Sequence, residues 1–118
     1  MLIGARIVFW ATLLITFVIA EMPPEHAPQL FSWDKAEHFT AFYVLSCLSI
    51  PAYPRTSLLV IGLWLALFGA TIELVQALPF INRDCDIKDW IADVIGISSS
   101  FAPPVLYQWR KFVYSPRA

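Results

Sequence analysis

Residues 57–78, SLLVIGLWLALFGATIELVQAL, decide the fold, because Glu73 is the only charged residue in this stretch. A helix of about 20 mostly apolar residues crosses the hydrocarbon core of a bilayer, so the stretch is long enough to span a membrane. The whole chain agrees: of its 118 residues, 58% are hydrophobic and 14% are charged, and the mean hydropathy is +0.65. A soluble domain of this size needs more polar surface to cover its core.

Three further apolar blocks flank this stretch and leave no room for a separate soluble domain. We predict transmembrane helices at residues 2–20, 34–50, 57–78 and 89–109. Pro51 marks the end of the second helix, while Pro103 and Pro104 are expected to bend or end the fourth. Asp86 is the candidate N-cap of the fourth helix. The predicted fold is an all-α bundle of four transmembrane helices, forming one domain over residues 1–118.

The first block has a second interpretation as a cleaved signal peptide. Val18-Ile19-Ala20 resembles a small-residue cleavage site before Glu21. The apolar stretch after Arg6 is long for the core of a signal peptide, which favours a retained span. The sequence leaves open whether this span is cleaved.

The charged residues divide between the two ends of the predicted bundle. All nine acidic residues lie in the first loop, the third loop or the adjoining helix ends. The basic residues on the other side are Arg6, Arg55, Arg110, Lys111 and Arg117, whereas Lys35, Arg83 and Lys88 share the acidic side. Because cytoplasmic segments carry an excess of Lys and Arg, we predict that both termini are cytoplasmic and that the acidic side faces outward. The net charge of −1, without a basic run, argues against a nucleic-acid partner.

Polar residues follow one stripe at the acidic end of three predicted helices. Asp34 and His38 are i,i+4 neighbours on the second helix. On the third helix, Glu73 and Gln76 continue a stripe of small residues, which allow helices to pack closely. We therefore predict a polar cluster that faces the bundle interior in the outer leaflet and comprises Asp34, His38, Glu73, Gln76, Arg83, Asp86, Asp89 and Asp93.

One interpretation of this cluster is a purely structural network. Arg83 would tie Glu73 to Asp89, and His38 would bond to one of the aspartates, Asp34 or Asp93. Buried charges are often only paired in this way. A proton or ion relay is a further interpretation, although four short spans offer little width for a pathway.

The other main interpretation is a binding site, since ionisable groups at this depth are costly unless they are paired or line a wet cavity. One histidine with several carboxylates can hold a divalent metal ion through oxygen-rich coordination. Arg83 could then grip a phosphate or carboxylate in a fork geometry. The candidate metal ligands are His38, Glu73, Asp89 and Asp93.

These residues resemble the pattern of the VanZ-like family of small bacterial membrane proteins. The matching motifs are, in order, Asp34-Lys35-x-x-His38-Phe39, Phe42-Tyr43, Ile72-Glu73-x-x-Gln76, Pro79, Arg83, Asp86-Ile87-x-Asp89 and Gly96. They cover residues 33–96, about half of the chain. Two positions depart from the pattern, which usually has Asn at Asp93 and a second small residue at Ser100.

The resemblance implies a multi-pass protein of the bacterial cytoplasmic membrane linked to the cell envelope, since the family is named for a protein associated with resistance to the glycopeptide antibiotic teicoplanin. It assigns no catalytic residue. We expect an outward-facing polar site for an anionic headgroup or a lipid-linked ligand, with membrane lipids or lipid-linked envelope intermediates as partners. The alternatives are a metal-assisted hydrolase or transferase acting on an envelope lipid, and a non-catalytic accessory membrane subunit.

Overall fold

The computed structural model describes residues 2–22, 34–79 and 86–114. It is all-helical over these residues, as the sequence predicts. The elements are α1 (Leu2–Glu21), α2 (Asp34–Ala52), α3 (Leu58–Gln76) and α4 (Ile87–Tyr114).

The helices that carry the polar residues begin at side-chain caps. The Ser57 hydroxyl accepts a hydrogen bond from Leu59 N at 3.2 Å and starts α3. The Asp86 carboxylate accepts one from Lys88 N at 2.9 Å and starts α4. Each cap satisfies one of the backbone N–H groups that a helix start leaves without an intrahelical partner. The predicted N-cap role of Asp86 is confirmed.

Two helices extend beyond their predicted ends, and both contain proline. α2 continues through Pro51 to Ala52 rather than ending at residue 50. Pro51 lies in the last turn, and Tyr53 N still donates to Ser49 O at 2.9 Å beyond it. α4 passes Pro103 and Pro104 and ends at Tyr114 rather than at 109. Each proline removes one intrahelical hydrogen bond, but the rest of the helix remains bonded on both sides.

α1 and α3 run in one direction, and α2 and α4 run in the other. The Gln76 amide near the end of α3 donates to Ala20 O near the end of α1, at 2.9 Å. Lys35 at the start of α2 contacts Asp89 at the start of α4. We call this the polar end, and its residues are Lys35, His38, Glu73, Gln76, Asp86, Asp89 and Asp93. The opposite end contains Arg6, Trp10, Ala52 and Tyr53.

The closest helix approach joins α2 and α4. A Cβ atom added at Gly96 would lie 2.5 Å from Phe39 O and 3.2 Å from Tyr43 N. Both atoms belong to the α2 backbone, so only glycine allows this packing. The approach places His38, one residue before Phe39, beside Asp93, which lies one helical turn before Gly96.

Apolar side chains both fill the bundle and cover its outside. The buried apolar residues are Phe9, Phe42, Leu45, Ala52, Ile61, Leu65, Ile72, Ile97 and Phe101. Large apolar side chains are exposed on every helix, among them Ile3, Tyr43, Leu74 and Ile87. The buried residues also include charged ones, of which Asp93 is completely buried. Buried charged side chains together with many large exposed apolar ones are the reverse of what a soluble protein shows.

Two of the helices, α1 and α3, are long and apolar enough to cross a membrane. α1 buries only Phe9, so it is not the core helix of a soluble domain. Twenty residues of helix rise about 30 Å, the thickness of the hydrocarbon core. α2 and α4 have similar or greater length but carry more polar residues.

Candidate functional site

Lys35 joins the starts of α2 and α4. Its ammonium lies 3.2 Å from Asp86 Oδ2 and 3.0 Å from Asp89 Oδ1. The Lys35 and Asp86 side chains are 27% and 39% exposed, whereas that of Asp89 is 6% exposed. Lys35 and Asp86 therefore form the mouth of the polar end, and Asp89 begins its buried part.

His38 lies one turn deeper and contacts two aspartates of α4. Its Nδ1 is 3.0 Å from Asp93 Oδ1, which is hydrogen-bond distance. Its Nε2 is 3.7 Å from Asp89 Oδ2, which is an ion-pair distance when the imidazole is protonated. The sequence predicted a bond from His38 to Asp34 or Asp93, and the structure shows the bond to Asp93.

Glu73 enters the cluster from α3. Its Oε2 accepts a hydrogen bond from Asp86 N at 3.0 Å, which ties the end of α3 to the start of α4. The residue is 6% exposed, and its Oε1 is buried without a hydrogen-bond partner within the part of the chain that the structure describes. A buried carboxylate oxygen without a donor is costly, so this atom indicates that a donor or a cation belongs beside it.

Gln76 lies one turn further along α3 and is 2% exposed. Its Nε2 donates to Ala20 O, which leaves the Gln76 Oε1 buried and without a partner among the described residues. Glu73 and Gln76 thus present two unsatisfied acceptors on one face of α3. The bond to α1 uses one of the two N–H donors of the Gln76 amide.

Small residues on α3 make room for this arrangement. A Cβ atom added at Gly69 would lie 2.8 Å from Asp93 Oδ2 and 3.3 Å from the Phe42 ring. Trp90 also packs here, and its indole N–H donates to Ala66 O at 2.9 Å. The sequence stripe of small residues before Glu73 was therefore a correct indicator of the α3 face that meets α4.

Among the residues that the structure describes, the cluster contains more acidic than basic groups. Its carboxylates are Glu73, Asp86, Asp89 and Asp93, and its cationic groups are Lys35 and, when protonated, His38. At the mouth, the hydrogen bond from Lys88 N, followed by that from the Lys35 ammonium, holds the pKa of Asp86 below its usual range. Deeper in the bundle, buried negative charge is costly unless a proton or a bound cation neutralises it.

Three of the buried side chains are close enough to share an ion. His38, Glu73 and Asp93 each offer a ligand atom, and these atoms all lie within 4.8 Å of one another. This His/Glu/Asp cluster could hold a metal ion. Asp89, which we predicted as a fourth ligand, is not in this group and instead accepts a hydrogen bond from Lys35.

The structure brings together six of the eight predicted site residues: His38, Glu73, Gln76, Asp86, Asp89 and Asp93. The side chains of Asp34 and Arg83 lie outside the described residues. The sequence interpretation did not include Lys35, whose ammonium contacts Asp86 and Asp89. Its position three residues before His38 placed both on one helix face, and that signal was in the sequence.

Comparison of the chain with protein-family models, with curated proteins and with solved structures gave no match. The functional inference therefore depends on the geometry of the polar end.

Proposed function

We propose that this chain is a multi-pass protein of the bacterial cytoplasmic membrane, with four spans, cytoplasmic termini and an outward-facing polar end. Exposed apolar side chains on every helix and buried carboxylates between the helices support this. α1 bonds to its neighbours near both of its ends, through Arg6 to Ala52 O and through Ala20 O to Gln76. Such packing favours a retained first span over a cleaved signal peptide.

The polar end binds an anionic headgroup or a lipid-linked ligand of the cell envelope, in line with the VanZ-like resemblance. The observation that carries this proposal is the partly exposed Lys35 ammonium at the mouth of the polar end, above the grouped side chains of His38, Glu73 and Asp93. A headgroup at the membrane surface reaches Lys35 first. Lipid tails fit along the apolar outside of the helices.

A metal-assisted hydrolase or transferase acting on such a lipid is the second candidate, favoured by the grouping of His38, Glu73 and Asp93. A divalent ion held there, with Asp89 nearby, would polarise a phosphoryl oxygen and make a bound water more acidic. The chain's own residues would orient the headgroup through Lys35 and shield the reacting end from lipid.

Topology is tested with a reporter that is active only outside the cytoplasm. Fusions after Glu21 and after Pro79 should be active, and fusions after Thr56 and after Ala118 should be inactive. A pattern that does not alternate would mean fewer than four spans. The inverted pattern would place the polar end in the cytoplasm and contradict the proposed function.

Headgroup binding is tested by the amount of phosphatidylglycerol, relative to phosphatidylcholine, that the purified full-length protein retains from mixed vesicles. Lys35→Gln should lower this preference several-fold, because it removes the ammonium at the mouth. Lys88→Gln is the matched control, since Lys88 is exposed on the first turn of α4 and its side chain forms no bond to the cluster within the described part of the chain. Equal retention by the wild type and both variants would contradict a headgroup site and favour the accessory-subunit alternative.

A further inference from the structure

The three side chains that could share a metal ion come from three different helices. His38 belongs to α2, Glu73 to α3 and Asp93 to α4. Each is positioned by an independent feature: the Gly96 contact for His38, the Asp86 N bond for Glu73 and the space over Gly69 for Asp93. A site assembled from three rigid helices holds its ligand atoms more accurately than one on loops.

We propose that His38, Glu73 and Asp93 form an open divalent-cation centre, with free coordination positions that bind the phosphate of a headgroup. The phosphate-binding part of this inference rests on the proposed headgroup function. The ion would let an acidic cluster hold an anion. Two carboxylates and one imidazole suit a hard or borderline ion such as Mn²⁺ or Mg²⁺.

The distance between two of the ligand atoms suits a divalent ion of this kind. Two ligands at a right angle around an ion with bonds of about 2.1 Å are about 3.0 Å apart, and His38 Nδ1 and Asp93 Oδ1 are 3.0 Å apart. The buried Glu73 Oε1 has no donor within the described residues, so an ion would satisfy an acceptor that the protein leaves unsatisfied. An ion also offsets the excess of buried negative charge.

Three protein ligands leave about half of an octahedral shell to water or to a substrate oxygen, which is how Mg²⁺-type ions commonly bind phosphates. Lys35 supplies a second positive charge at the mouth, and its contact with Asp89 holds it in place at 3.0 Å. Asp89 therefore acts as a positioning residue for Lys35 and lies outside the ligand set. A cation and an ammonium near one another are chemically suited to a phosphate monoester or diester.

The test uses Mn²⁺ as the probe on the detergent-solubilised full-length protein, followed by electron paramagnetic resonance. The wild type should bind about one Mn²⁺ per chain, with nitrogen modulation from an imidazole in the pulsed spectrum. Glu73→Gln should weaken binding by at least about tenfold. His38→Gln should remove the nitrogen modulation. Glu37→Gln and Thr71→Val are controls on α2 and α3, and both should bind like the wild type.

Lack of Mn²⁺ binding by the wild type would overturn the centre, and so would equal affinity in Glu73→Gln. Helical circular dichroism of each variant identifies any that fail to fold. Asp93→Asn, which keeps one oxygen ligand, provides a second variant with weakened binding if His38→Gln does not fold.

A phosphate arm separates this inference from the proposed function. Inorganic phosphate, or phosphatidylglycerol in the detergent micelle, should add phosphorus modulation to the Mn²⁺ signal. Phosphatidylglycerol retention that survives EDTA would overturn the bridging role of the ion and leave headgroup binding in place. Bound Mn²⁺ with no preference for phosphatidylglycerol would instead overturn the headgroup function.

Discussion

The two ends of the bundle differ in whether their buried and half-buried polar groups have hydrogen-bond partners. At the opposite end, Arg6 Nε donates to Ala52 O at 2.9 Å, and its guanidinium lies 4.7 Å from the centre of the Tyr53 ring. The Tyr53 hydroxyl accepts a hydrogen bond from the Trp10 indole at 2.7 Å. The Arg6 charge therefore meets the negative end of the α2 dipole and an aromatic face. Arg6, Trp10 and Tyr53 therefore all have partners within the protein.

At the polar end the acceptors exceed the donors. Glu73 Oε1 and Gln76 Oε1 are buried without partners among the described residues, where four carboxylates lie beside Lys35 and His38. The chain can thus satisfy a charged group where only structure is required. The unsatisfied acceptors of the polar end are the feature that supports the proposed ligand there.

The largest effect should come from Gly96→Ala, which tests whether the close α2–α4 approach builds the polar end. The new Cβ would meet the α2 backbone 2.5 Å away, so the helices must separate, at a cost of about 3 kcal/mol of unfolding free energy. Thermal unfolding in detergent measures this loss. Gly4→Ala is the matched control because nothing lies within 4 Å of its added Cβ. Equal stability of both variants would mean that the approach is not a constraint.

The next effect distinguishes the two ends directly. Arg6→Gln should lower the free energy of unfolding by about 1–2 kcal/mol, because a hydrogen bond from a charged group is lost, and should leave Mn²⁺ binding unchanged. Glu73→Gln in EDTA should leave stability unchanged or raise it, because one of several mutually repelling carboxylates becomes neutral. Unfolding in detergent with and without Mn²⁺ gives both results.

A contrary outcome would restore the structural-network interpretation. In that case Glu73→Gln would lose about 3–5 kcal/mol, as expected when a buried ion pair is broken, and Mn²⁺ would stabilise neither the variant nor the wild type. The comparison between the two ends would then fail, since both would be purely structural.

A smaller effect is expected from Asp93→Asn. The amide oxygen can still accept the hydrogen bond from His38 Nδ1 and can still serve as an ion ligand. We expect weaker Mn²⁺ binding than in the wild type but stronger than in Glu73→Gln, with folding nearly intact. The VanZ-like pattern, which usually has Asn there, leads to the same expectation. An affinity as low as that of Glu73→Gln would show that the site requires the charge of Asp93.

The sequence was sufficient to predict the four helices and the end at which polar residues meet. Long apolar blocks separated by proline-rich or charged segments identify the helices, and alternating directions bring the starts of α2 and α4 to the end of α3. The sequence predicts the end of the second helix at Pro51, but this residue lies in the last turn of α2, because one missing hydrogen bond costs less than the packing of the remaining helix provides.

The sequence predicted which residues meet at the site but not how their side chains pair. Whether a cation reaches Asp89 depends on side-chain reach across two helices, and Lys35 on α2 does so. Glu73 Oε1 is unsatisfied because Asp86 N donates to the other carboxylate oxygen, Oε2, which lies 3.0 Å away. Residue spacing does not encode such distances.

The smallest effect should come from Trp10→Phe at the opposite end. Phenylalanine keeps most of the aromatic surface and loses only the hydrogen bond to the Tyr53 hydroxyl. The cost should be below about 1 kcal/mol, because the indole is exposed and lipid headgroups or water can replace its partner. Tyr53→Phe removes the same bond from the other side, so the double variant should cost no more than the larger single variant. Strictly additive losses would mean that the two groups act independently. Mn²⁺ binding should be unchanged in all three variants, and a change would show that the opposite end is coupled to the polar end.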